Sequence, residues 1–385
     1  VNILSQIIRM ETAASGVLPF ARFMELALYC PIHGYYEKQK DNVGRGGDFI
    51  TSVGTGGLFG QLLAFQFAGW LEELQSSPVT RHPSFLLIEA GAHDGALAAD
   101  ILNWLQLNRP DLFARLEYAI IEPSARRQEW QRETLKEFAP RVRWFTGFEN
   151  MSLVTRHSSL PGIIFSNELL DAFPVNRYGW DEKNKKWFEW GVAVEGEKFV
   201  WARMADPLAP PNGERDGVRG ALKNSPSSIL NLPSSLLKVL PDGYTIETSP
   251  AAENWWREAA GVLGRGKLVA IDYGLTADEV FSPARTNGTL RAYFRHHVSG
   301  DLLANIGEQD LTAHVNFSAI QKTGEEVGLK TESFSTQTKF LTQILEKTLA
   351  DKAFGEWTPA RTRQFLTLTH PEHLGRAFHV LVQSR

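Results

Sequence analysis

In the stretch "IEAGAHDGALAADIL" (Ile88–Leu102), the end of an apolar run passes through a glycine turn into an alanine-rich segment of helical character. Strand, glycine turn and helix in that order form the junction at which open α/β sheets bind nucleotide-type ligands. There the turn and the helix N-terminus offer backbone N–H groups to an anionic group. Glu89, Gly91 and Gly95 give an acid-x-Gly-x-x-x-Gly spacing. The same residues would also serve a plain strand-to-helix junction.

The spacing lacks the three glycines of a dinucleotide fingerprint, so a pyrophosphate ligand is not indicated. A smaller group, such as the amino-acid end of S-adenosylmethionine, needs less backbone clearance. His93 stands at the centre of the turn. If that position needs a positive φ, histidine adopts it at about 1 kcal/mol relative to glycine. Its ring then projects away, donates to a ligand carboxylate, or fills the pocket, and the sequence leaves these three outcomes open.

Around this junction the pattern repeats. "SFLLIEAG", "EYAIIEPS", "VRWFTG", "GIIFSNE" and "KLVAIDYG" are short apolar runs, the first three followed by helical or turn segments, and "FHVLVQ" suits a last strand. Such alternation predicts a doubly wound, Rossmann-like α/β sheet covered on both faces. Ahead of it, "ILSQIIRMETAASGVLPFARFMELALYC" reads as two short helices, then the glycine-rich loop "NVGRGGDFITS" and the amphipathic "LFGQLLAFQFAGWLEEL". Between Arg177 and Tyr244, "WFEWGVAVEGEKFVWARM" alternates like a hairpin and "DPLAPPNGERDG" reads as a loop, which together predict an inserted cap. The expected segments are 1–80 (N-terminal helices and glycine-rich loop), 81–180 (first part of the core), 181–242 (cap) and 243–385 (remaining core).

With 43% apolar and 22% charged residues and a net charge of −4, the chain has the balance of an ordinary globular protein. No Lys/Arg run marks a nucleic-acid binder; "EKNKKW" reads as a solvated turn. Cys30 is the sole cysteine, which excludes an internal disulfide framework and a cysteine-rich metal site. Apolar runs stop well short of the ~20 residues of a membrane helix, and no signal-peptide pattern opens the sequence. These features fit a bacterial cytoplasm, or a mitochondrial matrix for a eukaryotic source.

Further acids fall at strand ends. Glu122 in "IIEPS" ends the second run, where a carboxylate can accept hydrogen bonds from both hydroxyls of a ribose; the alternative is an exposed strand-end acid. Asn167, Glu168 and Asp171 cluster in "SNELLDAFPV" after the fourth run. Two neighbouring acids in a cleft can hold a guanidinium by bidentate hydrogen bonds, or can cap a turn and pair internally. His314 beside Thr312 and Asn316 reads as a structural residue. No spacing indicates a metal site, and no Gly-x-Ser-x-Gly elbow is present.

The motifs "LALYCPIHGYY", "GRGGDFITS", "SNELLDAFPV", "ETSPAAENWW", "LVAIDYG" and "GEQDLTAHVNFSAI" occur in that order. Together they resemble the MidA family, which includes the mitochondrial complex I assembly-factor methyltransferase. The likeness runs from Leu26 to the C-terminus, interrupted mainly at Asp206–Leu240. It implies a class I methyltransferase fold using S-adenosylmethionine and, for the mitochondrial member, arginine methylation of a complex I subunit. By position, Gly91 and Gly95 match the glycine turn and Glu122 the ribose acid. Gly47, Asp48 and Thr51 match a cofactor cover, and Asn167, Glu168 and Asp171 the acidic signature. Glu247 and Asp272 match further acids on the cleft side. Two departures stand out. His93 replaces the middle glycine of a Gly-x-Gly-x-Gly turn, and Val53–Gly54 replace a Pro-Glu pair.

The resulting expectation is an S-adenosylmethionine-dependent methyltransferase. Glu168, Asp171 and Glu247 are its catalytic candidates. Gly47, Asp48, Thr51, Glu89, Gly91, His93, Gly95, Glu122 and Asn167 are the cofactor candidates. Its partner would be an arginine-bearing protein, with a respiratory-complex subunit supplied by the resemblance. Two rivals remain: an assembly factor that keeps the fold without catalysis, and a small-molecule methyltransferase whose cleft Trp180, Trp187 and Trp190 would line. Core packing is the other reading of those tryptophans, and the aromatic hairpin could also serve a homodimer.

Overall fold

The structure is a computed structural model. It describes residues 2–38, 51–75, 84–154, 161–205, 237–295, 297–351, 354–372 and 374–385. Two compact units interleave along the chain: residues 1–38, 172–253 and 275–319 form one, and 39–171, 254–274 and 320–385 the other.

The second unit is built on seven strands: β1 (Phe85–Ala90), β2 (Leu116–Ile121), β3 (Val142–Phe145), β4 (Pro161–Asn167), β5 (Arg265–Leu275), β6 (Lys330–Thr336) and β7 (Phe378–Ser384). They lie in the order β6-β7-β5-β4-β1-β2-β3. The β1–β2, β2–β3, β1–β4 and β4–β5 pairs are parallel, whereas β7 runs antiparallel to both β5 and β6. This is the expected doubly wound sheet. "FLLIEA" and "PGIIFSN" are almost continuously apolar because parallel strands are covered on both faces. Strand order reverses between β1 and β4, and a crevice opens at the carboxyl ends of strands at such a point.

Helices α1 (Leu58–Gln75), α2 (Ala96–Asn108), α3 (Ala125–Thr134) and α4 (Gln337–Ala350) belong to the same unit. Leu62, Leu63 and Phe67 of α1, Ile101 and Leu105 of α2, and Leu341 and Ile344 of α4 share one buried core with Phe165 and Val380. Asp94 caps α2 by accepting the Ala96 N–H at 3.0 Å, and Ser124 caps α3 by accepting that of Arg127 at 3.2 Å.

In the first unit, Leu18–Pro19, Asn176–Asp181, Lys186–Glu195, Lys198–Arg203 and Thr245–Thr248 form an antiparallel sheet. The expected hairpin is there, with Glu195 opposite Lys198 and a positive φ of 58° at Gly196 in its turn. Trp180 packs on Trp187 with ring centroids 5.2 Å apart, and Trp190 meets Trp201 at 6.4 Å. These tryptophans therefore pack within their own unit, as in the core-packing reading.

The expected boundaries differ from the observed ones. Segment 1–80 is divided, because the helix Ile3–Ser15 buries Leu4 and Ile8 in the first unit's core whereas α1 packs under β4. Segment 243–385 is divided too, with 275–319 joining the first unit. Among the described residues, no helix is long and apolar enough to cross a membrane.

Phe165 is fully buried and meets Phe67 with ring centroids 5.0 Å apart. Phe165→Ala is expected to destabilise the second unit by about 3–5 kcal/mol, read as a lower denaturant midpoint.

Candidate active site

The glycine turn follows β1 directly. The Gly91 N–H donates to the Ile121 carbonyl at 3.3 Å, and the Gly95 N–H donates to the Ala92 carbonyl at 2.7 Å. Gly91 and Gly95 have φ of 72° and 86°, where a side chain is strained. Space is short at Gly91, where a Cβ would lie 2.8 Å from Leu169 Cδ1, and tighter than usual at Gly95, where it would lie 3.3 Å from Leu135 Cδ1. His93 has φ of 47°, so the middle position does require the left-handed region, and histidine adopts it. Its carbonyl accepts from Gln131 Nε2 at 3.0 Å. Its side chain is 27% exposed, with Nδ1 3.8 Å from the Asp94 carboxylate.

Beneath the turn, Glu89 is buried and accepts from the Tyr118 hydroxyl at 2.5 Å. Burial pushes its carboxyl up to about 7; the Tyr118 hydrogen bond opposes this and the Asp94 charge adds to it. At the end of β2, Glu122 is fully buried. Its Oε1 accepts the Ser124 N–H at 3.0 Å and lies 3.4 Å from Arg127 Nε, and its Oε2 accepts from Gln131 Nε2 at 3.2 Å.

The acidic loop leaves β4 abruptly. Glu168 has φ of 53°, and its N–H donates to the Ile271 carbonyl at 2.9 Å. A long side chain in the left-handed region is uncommon, and such conformations cluster where function holds them. Glu168 Oε1 accepts from Asn167 Nδ2 at 3.1 Å and from the Ser52 N–H at 3.2 Å. Asn167 Oδ1 is a buried acceptor with no hydrogen-bond partner among the described residues. Asp171 is buried at the following turn.

Asp272 differs from its expected place as a cleft acid. It is fully buried, and its Oδ2 accepts the N–H groups of Leu169 and Leu170 at 3.1 and 2.8 Å. Burial pushes its carboxyl up to about 7 despite these and neighbouring backbone donors, which favour the charged form. Asp272 therefore shapes the loop that carries Glu168 and Asp171.

Thr51 is buried, and its Oγ1 accepts the Gly54 N–H at 3.0 Å. Gly47 and Asp48 lie outside the described residues. Glu247 belongs to the first unit rather than to the one holding Glu168. Its Oε2 accepts the Thr289 N–H and Oγ1 at 2.7 and 3.2 Å, and its Oε1 lies 3.5 Å from Arg177 Nε. Burial raises its pKa, with Arg177 and Thr289 opposing. That carboxylate is engaged by its own unit, as is His314, whose N–H donates to Thr289 Oγ1 at 3.2 Å. Sequence reasoning missed Ser52 and Gln131, because neither a serine in a loop nor a glutamine on a polar helix signals a long-range contact.

A model of the family described as "Putative S-adenosyl-L-methionine-dependent methyltransferase" matches residues 62–335. The chain belongs to this MidA/NDUFAF7-like family. It is 28% identical over 395 residues to the Mus musculus protein named protein arginine methyltransferase NDUFAF7, mitochondrial, covering 95% of this chain and 80% of that one. The Drosophila melanogaster homolog is 27% identical over 344 residues, covering 84% and 70%. A crystal structure of a Burkholderia thailandensis protein bound to S-adenosyl-homocysteine superposes with a TM-score of 0.79 at 31% identity, covering 100% of this chain and 92% of that one.

The fold is that of the S-adenosylmethionine-dependent methyltransferases, and the residues present fit this MidA-family cofactor. The Asn167 Oδ1 acceptor and the buried Glu122 carboxylate are of the type that would receive the cofactor's hydroxyl and ammonium groups. In the turn ahead of α2 the Gly91, Gly95 and Ala96 N–H groups have partners within the protein, and it is the other backbone N–H groups of the turn that would serve a carboxylate.

Asp272 and Glu89, both raised by burial, make stability fall as pH rises toward neutral, and Asp272 gives the test. Its folded pKa is raised from 3.8 to about 7, so the folded state holds the proton more tightly. Stability from this group is full below about 4 and is lost as pH rises through about 7, with a slope of up to about 1.4 kcal/mol per pH unit. Asp272→Asn is expected to flatten this slope in denaturant melts between pH 5 and 8. An unchanged slope would assign the proton elsewhere.

Proposed function

We propose that the protein methylates a guanidinium nitrogen of an arginine carried by a protein substrate. The observation that carries this reading is Glu168, held left-handed at the end of β4 with Asn167 and Asp171 beside it in the chain. The arginine methyltransferase names of the mouse and fly relatives support the choice of acceptor.

A guanidinium is protonated at any physiological pH and must shed a proton as its nitrogen attacks. Glu168 and Asp171 would orient it through paired hydrogen bonds, and Glu168 would accept the released proton. Bound S-adenosylmethionine would supply an electrophilic methyl, its sulfur keeping the electron pair of the broken C–S bond. Glu122 would hold the ribose hydroxyls and the Gly91–Gly95 turn the amino-acid end. Most of the rate would come from positioning the two reactants. Glu247, committed to Arg177 and Thr289, takes a supporting part in its own unit.

The reading of a retained but inactive fold rests on His93 and on Val53–Gly54 in place of a Pro-Glu pair. The left-handed φ of His93 and the hydrogen bond to its carbonyl favour an intact turn. A respiratory-complex subunit is the first acceptor to try, in the bacterial cytoplasm or the mitochondrial matrix according to source.

Calorimetric titration with S-adenosyl-homocysteine is expected to show binding by the wild type that Glu122→Ala weakens. Glu168→Gln is expected to leave that affinity within about twofold while lowering methyl transfer to arginine peptides by roughly 10²–10⁴-fold. Undiminished transfer by Glu168→Gln would remove it from the chemistry, and absence of wild-type binding would overturn the reading as a whole.

A further inference from the structure

Gln131 is a fully buried polar side chain, on α3, whose sequence context gave no hint of a role. Its amide orientation is fixed by chemistry. Trp144 Nε1 can only donate, and it lies 3.0 Å from Gln131 Oε1. The amide nitrogen must then face the other way, where it has two hydrogens and meets two acceptors. These are the His93 carbonyl at 3.0 Å and Glu122 Oε2 at 3.2 Å. One side chain thus joins the glycine turn after β1, the acid at the end of β2 and an indole on β3.

We propose that Gln131 is the positioning residue of the cofactor site, holding the glycine turn and the ribose acid in one fixed register. The inference rests on the reading that the turn and Glu122 bind S-adenosylmethionine. A cofactor that spans both halves gains from their spacing being set before it arrives, because less freedom is lost on binding. The backbone of α3 lies close to the same turn, with the Gln131 Cα 3.4 Å from where a Cβ on Gly95 would stand.

The side-chain type follows from the three contacts. A glutamate would turn a carboxylate toward Glu122 and could not donate to His93 when ionised. A leucine would fill the volume but strand the Trp144 donor, the His93 carbonyl and one Glu122 oxygen. A lysine would satisfy the two acceptors and lose the one for Trp144.

The test is titration with S-adenosyl-homocysteine at pH 6 and pH 8, with steady-state kinetics in S-adenosylmethionine, for wild type, Glu122→Ala, Gln131→Glu and Gln131→Leu. Gln131→Glu places two carboxylates in one buried site, so one of them takes up a proton more readily than usual. Its affinity is expected to fall by roughly tenfold or more at pH 8 and to recover largely at pH 6, where a protonated carboxyl donates again. The other charged groups at this site are Arg127 beside Glu122 and Arg132 over the Trp144 ring. Wild type at the same two pH values accounts for His93, Asp94 and the buried Glu89 beneath the turn.

Gln131→Leu, which tests the proposal even if Gln131→Glu does not fold, is expected to raise KM for S-adenosylmethionine by about tenfold with kcat kept within about threefold. Unchanged affinity and KM in both variants would overturn the positioning role, as would a pH-independent loss in which kcat falls with KM unchanged. If Glu122→Ala binds as well as wild type, the cofactor reading of Glu122 fails and the proposal with it. Normal weakening by Glu122→Ala with unaffected Gln131 variants would sink the proposal alone.

Discussion

The glycine turn and the acidic loop meet where Leu169 lies against Gly91. Leu169 occupies the space in which a Cβ on Gly91 would stand. Leu169 is there because Glu168, one residue earlier, takes a left-handed φ and because the Leu169 N–H is drawn to the buried Asp272 carboxylate. The chain leaves β1 and β4 in different directions, and backbone polar groups at both strand ends need partners away from water. Asp272 satisfies two of them from a third strand, β5. Without that buried acceptor, the loop carrying Asn167, Glu168 and Asp171 would lose the groups that define its path.

Much of this was legible in the sequence. The apolar runs for β1, β2, β4, β5 and β7 and the glycine turn follow from residue type and spacing alone, because burial on both sheet faces leaves little choice of side chain. The motif order also pointed to the family before any coordinates. What was not legible are contacts between residues far apart in the chain. Ser52 reaches Glu168 across 116 positions, and Asp272 reaches Leu169 across 103. An acid at the end of a strand reads the same whether it faces a cleft or folds back onto backbone N–H groups, so Asp272 looked like a cleft residue. The interleaving of the two units was equally hidden, because a segment such as 275–319 carries no local sign of which core it joins.

Burial separates the acids that shape the site from those available for chemistry. Glu89 and Asp272 are enclosed, and burial raises both carboxyls, disfavouring their charged forms. Each is matched to donors of its own unit, the Tyr118 hydroxyl in one case and backbone N–H groups in the other. Asn167 and Glu168 are only partly buried, and an acceptor atom of Asn167 has no partner among the described residues. Spare acceptor capacity next to a strained backbone is a costly arrangement for a protein that merely needs to fold.

The same reasoning bears on His93. A non-glycine residue in the left-handed region costs on the order of 1 kcal/mol, and the cost falls on a carbonyl that Gln131 holds by a hydrogen bond. Such a bond contributes about as much as the strain removes. Gly91 and Gly95 are harder to replace, because a side chain on Gly91 would also meet Leu169 Cδ1 at 2.8 Å and one on Gly95 would be held at a φ of 86°. The turn therefore tolerates a side chain at its centre and at neither end, which is where this sequence keeps its glycines.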